Sequence, residues 1–241
     1  TSQNLPYLEK SMLKSTASQL LFSLLLLPAV SWAQDEDWRP SAVRVGADVF
    51  GLAKTALTDG YNRQEIQADI DLNKYFFVLD LGREEIDNSA EGFTHTTNGT
   101  FYRAGVDVNL TPYNPNKDVV FFGLRYAHAT FDESLAFDYA VPYWGPASVD
   151  VANVGLNAHW IEAVFGMKVK VWKQFYMGYT LRGKFGQKTK GAETLIPYAV
   201  PGYGVVTSGG NFGFGYHIYY KLAFRDKAVP LRPKDSKKKL K

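Results

Sequence analysis

The 241-residue chain contains no cysteine, which excludes disulfides and thiolate metal sites. Its four histidines, His95, His128, His159 and His217, have no metal-ligand spacing, so neither a metal nor any other cofactor is expected. Past the N-terminal region no apolar run approaches the roughly twenty residues of a membrane-crossing helix. Leu, Ala and Glu never gather into a long helical pattern either, which makes a soluble helical enzyme a poor description. Charge of one sign is also scarce. The net charge is +3, and much of that excess sits in Lys234-Asp-Ser-Lys-Lys-Lys-Leu-Lys241. The remainder is close to neutral, so a nucleic-acid partner is not expected.

What is present favours strands. Fifteen Tyr and sixteen Phe supply aromatic residues that fit pleated surfaces, and twenty-one Gly allow close backbone approach. Near the start, Met12 to Ala33 reads as a secretory signal. Lys14 supplies the positive start, Leu20-Leu-Phe-Ser-Leu-Leu-Leu-Leu27 the apolar centre and Ser31-Trp-Ala33 the cleavage site. Residues 1–11 are then expected to be upstream or non-native sequence. A retained membrane anchor would need a longer apolar run than this one.

From Ser41 onward the dominant period is two. Val43, Val45, Ala47 and Val49 alternate with Arg44, Gly46 and Asp48; Ile66, Ala68, Ile70 and Leu72 alternate with Glu65, Asp69 and Asp71. Phe77, Leu79 and Leu81 oppose Asp80, Gly82 and Glu84. Tyr102 to Leu110 alternates with Arg103, Gly105 and Asp107. Four more segments follow: Val120–Tyr126, Ile161–Val169, Phe175–Leu181 and Phe214–Leu222. Eight strands of nine to fourteen residues are predicted, long enough to cross a membrane at a tilt.

The links sort by length. Asn73-Lys74, Thr111 to Asp118 and Lys173-Gln174 are short, whereas Asp87 to Thr97, Thr130 to Ala158 and Gln187 to Ser208 read as long loops. Short turns at one end and long loops at the other is the outer-membrane arrangement. The predicted fold class is therefore all-β, a closed antiparallel up-and-down transmembrane β-barrel over residues 41–224. Residues 34–40 form a periplasmic N-terminal segment in this scheme, and 225–241 form a basic tail.

Side-chain chemistry decides which face looks inward. Eight acids (Asp48, Glu65, Asp69, Asp71, Asp80, Glu84, Asp107, Glu162) match eight bases (Arg44, Arg103, Arg125, Lys168, Lys170, Arg182, Lys184, Lys221) on the polar face. Charges in a narrow eight-stranded interior must pair, because each would be costly to bury alone. The residues expected to form this structural network in the lumen are Arg44, Asp48, Asp69, Asp80, Arg103, Asp107, Arg125, Glu162, Lys168 and Arg182. The lumen is then plugged. A soluble barrel or sandwich would turn the apolar face inward instead, but leaves the glycines on a solvent face unexplained.

At Leu156-Asn-Ala-His-Trp-Ile-Glu-Ala-Val-Phe-Gly-Met-Lys-Val169 the chain resembles an uncharacterised, domain-of-unknown-function family of small outer-membrane barrel proteins from Bacteroidota. The same pattern is visible in Phe121-Phe-Gly-Leu-Arg-Tyr126, Tyr143-Trp-Gly145, Phe175-Tyr-Met-Gly178, Ile196-Pro197 with Pro201-Gly202, and Phe212-Gly-Phe-Gly-Tyr216. The resemblance implies a barrel in a two-membrane envelope and no activity. The basic extension after Phe224 departs from the usual aromatic end, which leaves two alternatives, an internal assembly signal near Tyr220 to Phe224 or non-native sequence in the tail.

Three roles follow as expectations. The first is a non-enzymatic outer-membrane protein, whose partners are outer-membrane lipids and the barrel assembly machinery, and whose loop residues Tyr139, Tyr143 and Trp144 offer a contact surface. The second is an enzyme acting on lipid A or peptide at the rim, carried by His128, Asp132, Glu133 and Ser134, though no nucleophile context appears. The third is a narrow transport channel, which requires an open lumen. No catalytic, cofactor-binding or metal residue is assigned, and no protein partner is identified. Gly210-Asn-Phe-Gly-Phe-Gly215 resembles a phosphate loop only by glycine count.

Overall fold

The computed structural model describes residues 38–114, 117–141, 143, 145–192 and 195–225. The predicted signal, the upstream segment and nearly all of the basic tail lie outside the described residues. Thr1–Trp38 forms one unit, of which only Trp38 is described, and Arg39–Lys241 forms the other. The second unit holds every element below.

Its strands are β1 (Ala42–Asp48), β2 (Tyr61–Leu72), β3 (Tyr75–Ala90), β4 (Phe93–Asn109), β5 (Val119–Val141), β6 (Gly145–Trp172) and β7 (Phe175–Lys190). Two short strands, β8 (Ala199–Val200) and β9 (Gly204–Val205), precede β10 (Asn211–Ala223), and one helix, α1 (Val49–Leu57), separates β1 from β2. Neighbours in sequence pair antiparallel from β1 to β7. β10 then pairs with both β7 and β1, from Ala42↔Ala223 to Asp48↔His217, so the eight-stranded sheet closes into a ring. β8 and β9 make a separate two-stranded hairpin.

Three links lie at what we term the turn end: Asn73-Lys74, the segment 110–118, and Lys173-Gln174. Asn73 and Lys173 adopt positive φ there, at 63° and 46°. Asn tolerates that conformation because its short polar side chain bonds locally. At the opposite, extended end the strands outrun the predicted bounds. Asp87 to Thr97 and most of Thr130 to Ala158 are not loops, since β3 pairs β4 out to Ala90↔Phe93 and β5 pairs β6 out to Val141↔Gly145. β6 accordingly runs 28 residues. Part of Gln187 to Ser208 is also ordered differently, as the end of β7 and the β8–β9 hairpin.

Period-two alternation turns two unlike faces in and out of the ring. On β5, Val119, Phe121, Arg125, Ala127, Ala129, Phe131 and Glu133 are buried, while Phe122, Leu124 and Tyr126 between them are exposed. The glycines of the inward face make room for bulky neighbours: a Cβ on Gly82 would stand 2.3 Å from the Phe101 ring, and one on Gly46 2.3 Å from Tyr219.

Outward, Leu124 and Ile161 are 58% and 57% exposed, and Ile66, Phe77, Leu79, Phe165, Leu181 and Leu222 join them in an apolar band around the ring. Along β4 and the residue after it the band runs from Tyr102 to Leu110, which at ~3.3 Å per residue and ~40° of tilt is about 20 Å along the ring axis. Aromatic pairs edge it. Tyr102 stacks on His128 at 5.3 Å and Tyr126 on His159 at 6.5 Å toward the extended end; Trp172 stacks on Phe175 at 6.0 Å at the turn end. Above the band the outward residues become polar, as in Asn62, Gln64, Arg83, Asn98, Thr130 and Asp132.

Helix α1 stands at the extended end beside β2 and β10. Buried Gly51 lets it approach closely, Thr55 Oγ donates to Gly51 O and accepts from the Arg63 N–H at 2.8 Å, and Phe50 meets Phe214 edge-on at 5.2 Å.

Candidate functional site

The distinctive chemistry of this protein is inside the ring, in layers. Nearest the turn end, Phe76, Val78, Val119, Phe121 and Val164 form an apolar floor. Two cations rest on it: the Arg44 guanidinium lies 4.3 Å from the Phe76 ring centre and Lys168 Nζ 4.9 Å from that of Phe121. Both hold Asp69, Arg44 at 2.7 Å and Lys168 at 2.7 Å, one on each carboxylate oxygen.

The next layer centres on Asp80. Arg125 Nη1 lies 2.7 Å from Asp80 Oδ2, Arg103 Nη1 3.3 Å and Arg182 Nη2 3.7 Å, while Gln67 donates to the other oxygen at 2.6 Å. Tyr219 donates its hydroxyl to Gln67 in turn. Arg125 also reaches Asp107 at 3.0 Å. Above it, Glu65 receives Arg103 at 2.7 Å and Arg182 at 3.1 Å on one oxygen and Arg63 at 2.5 Å on the other. Glu162 accepts the Trp160 indole N–H at 2.8 Å and faces Arg103 at 3.2 Å. Arg182 lies farther from Glu162, at 3.9 Å, so Arg103 is the closer cation.

Apart from the half-buried Arg63, every member of this assembly is almost wholly buried, and Asp69, Asp80, Glu65 and Glu162 are each shared among several donors. Sharing is what makes such burial tolerable: guanidinium forks offset the charge of carboxylates withdrawn from solvent. The arrangement ties β2, β3, β4, β5, β6 and β7 together through shared ion pairs. It is a rigid filler held by charge.

A second apolar layer covers the network, made of Phe101, Ala127, Ala129, Phe131, Leu156, Ala158, Trp160, Val200 and Tyr203. The last two come from the β8–β9 hairpin, which folds into the mouth at the extended end. Its tip, Val200-Pro-Gly-Tyr203, is a turn with a 3.0 Å bond from the Tyr203 N–H to Val200 O and Gly202 at φ +78°, the combination a type II turn favours. Gly202 packs so closely on Phe101 that a Cβ would approach to 2.7 Å. Charged side chains then clamp the tip. Gly202 N–H donates to Glu84 at 2.6 Å, and Lys184 Nζ donates to the carbonyls of Gly202 and Tyr203, both at 2.8 Å. Glu84 also accepts the Tyr61 hydroxyl at 2.7 Å.

The expected lumen residues are placed as follows. Arg44, Asp69, Asp80, Arg103, Asp107, Arg125, Glu162, Lys168 and Arg182 are buried in the layers above; Asp48 is buried beside them, 3.8 Å from Arg63 Nε. Lys170 is exposed, and Asp71 and Lys221 are only half-buried, because they lie at the turn end where the ring opens. Of the expected loop contacts, Tyr139 stands on strand β5 instead of a loop and Tyr143 is fully exposed at the β5–β6 turn, whereas Trp144 lies outside the described residues. The rim set is divided between faces. His128 is outward and stacked on Tyr102, Asp132 is outward and accepts the Gly155 N–H at 2.7 Å, and Glu133 is inward with His95.

Arg63, Gln67, Tyr219, Tyr203 and the His95–Glu133 pair were not anticipated. For Arg63 and Glu133 a signal existed: both continue the inward parity of their strands, Arg63 before Glu65 and Glu133 after Arg125. No helix among the described residues is long and apolar enough to cross a membrane, and no cluster of His, Asp and Glu among them could hold a metal ion.

A model of the family described as a domain of unknown function (DUF6048) matches residues 12–227. No curated protein and no solved structure matches the chain.

Proposed function

We propose, for a chain that belongs to the domain-of-unknown-function family DUF6048, a non-enzymatic role as a plugged outer-membrane β-barrel. It would be exported by a cleaved signal at residues 12–33 and inserted by the barrel assembly machinery into the outer membrane of a bacterium of the Bacteroidota type. There it serves the envelope structurally or through its extended hairpins. The observation that carries this proposal is the inversion of the two faces: charge is buried inside the ring and Leu, Ile and Phe stand outside it. In water such a band would expose a contiguous apolar surface far beyond what soluble monomers tolerate. In hydrocarbon it is the stable placement.

Three further features support it. The band is about 20 Å tall, near the apolar height of known barrels, and aromatic pairs border it at both edges. Short links gather at one end, which would face the periplasm together with residues 34–40 and the basic tail. The layered interior and the inserted Tyr203 favour a plug over a channel, and Glu133 stands on the opposite face of β5 from His128.

The test is heat-modifiable gel mobility of the membrane-extracted protein, combined with membrane fractionation. Folded protein in the outer-membrane fraction, migrating differently before and after boiling, is the expected result. A detergent-independent soluble protein with one mobility would reject the proposal.

A further inference from the structure

At the extended end, beyond the apolar band and separate from the interior network, a cleft of about 370 Å3 opens between β4, β5 and the segment entering the β8–β9 hairpin. Phe93, Leu135, Leu195, Ile196 and Tyr198 form its walls. His95 and Glu133 also line it, and they are only 4% and 1% exposed. His95 Nε2 lies 2.8 Å from Glu133 Oε1, which also accepts the Tyr198 N–H at 2.9 Å. The Tyr198 ring meets His95 edge-on at 5.4 Å.

This dyad is incomplete. Glu133 Oε2 and His95 Nδ1 have no hydrogen-bond partner, and neither has the neighbouring Thr97 hydroxyl. Everywhere else in the interior a buried carboxylate is met by Arg or Lys; among the described residues the ion-pair partner of Glu133 is a histidine. A buried carboxylate with a free oxygen is costly unless something fills it, so the cleft is chemically primed for a cationic donor. Its aromatic walls suit the same charge, since ring faces attract ammonium groups. The volume is that of a small-molecule site.

We infer that this cleft binds a small organic ammonium compound, whose protonated amine meets Glu133 and whose apolar body lies against Phe93, Leu135 and Ile196. An anion is repelled by the same carboxylate. A neutral alcohol fills the hydrogen bond without balancing the charge. Nothing in the cleft depends on what the outward band faces, so ligand binding and membrane residence can fail separately.

The experiment uses the full chain folded in detergent micelles, titrated calorimetrically with phenethylammonium, phenethyl alcohol and phenylacetate. Phenethylammonium is expected to bind at least about tenfold tighter than the alcohol, with no detectable phenylacetate binding. Glu133→Gln should weaken the ammonium compound at least about tenfold, the usual worth of a charged hydrogen bond. Because that change alters a buried pair, Leu135→Trp provides a second test: it fills the cleft from its wall, leaves the dyad intact and should abolish binding. Equal affinity for amine and alcohol, unchanged binding in both variants, or no binding of the amine by folded protein would overturn the assignment.

Discussion

Arg125 on β5 and Asp80 on β3 meet at 2.7 Å across the intervening strand β4, each with no more than 1% of its surface exposed. The contact ties non-neighbouring strands through the ring's interior, where backbone pairing cannot reach. Arg103 and Arg182 converge on the same carboxylate, so removing Asp80 leaves three guanidiniums short of a counter-charge.

Asp80→Ala should therefore cost about 3–5 kcal/mol, the penalty of stranding buried partners. The paired change Asp80→Leu with Arg125→Leu should cost less than the sum of its two single changes, because it removes both charges together. Urea unfolding in micelles, followed by tryptophan fluorescence, measures both. A loss below about 1 kcal/mol for Asp80→Ala would mean that the network does not hold the ring.

The inserted hairpin supplies a second expectation. Tyr203 is 1% exposed and packs edge-on against Trp160 at 5.5 Å. Tyr203→Ala should destabilise by about 3–5 kcal/mol, as large aromatic deletions do, and should loosen the segment 195–210. Limited proteolysis should then cut there first. In planar bilayers neither chain should conduct, because the charged layers and the apolar floor still fill the ring below the hairpin; steady conductance from the unaltered chain would contradict a plugged interior.

Depth along the outer face gives a third. Leu124 lies in the middle of the outward band on β5 and Thr130 beyond its aromatic edge. Leu124→Arg should lower stability in lipid by about 2–4 kcal/mol, and Thr130→Arg by no more than about 1, which is the depth dependence of lipid-facing charges. Unfolding titrations in vesicles of both variants check it. Equal effects at the two positions would argue against a bilayer around the band.

Much of the ring was legible because alternation is a local signal. Tyr102 to Leu110 and Val43 to Val49 declare two faces within a few residues, and Asn73-Lys74 and Lys173-Gln174 mark turns. The extensions of β5 and β6 were hidden where Pro142, Gly145 and Pro146 imitate a loop and where Phe137 and Tyr139 blur the two faces. Helix α1 was missed for a different reason: it has nine residues and no side-chain N-cap, and its first residue, Val49, also fits the alternation of β1. Parity places Phe121 with Arg125 and Trp160 with Glu162 on the inward face but cannot say which of them meets charge and which packs a floor or lid, since position along the axis decides that. Which acid meets which base is equally non-local. Lys168 and Asp69 are 99 residues apart in sequence, and only closure of the ring brings them to 2.7 Å.

The placement of the two faces is tested most directly by collisional accessibility of nitroxide labels in vesicles. The chain has no native cysteine, so single labels at Leu124, Ile161 and Phe165 report the outward face and labels at Ala127 and Ala158 the inward one. Outward sites should be open to molecular oxygen and closed to a water-soluble relaxation agent, with the inward sites closed to both. Outward labels relaxed by the aqueous agent would mean that water, not lipid, surrounds the ring.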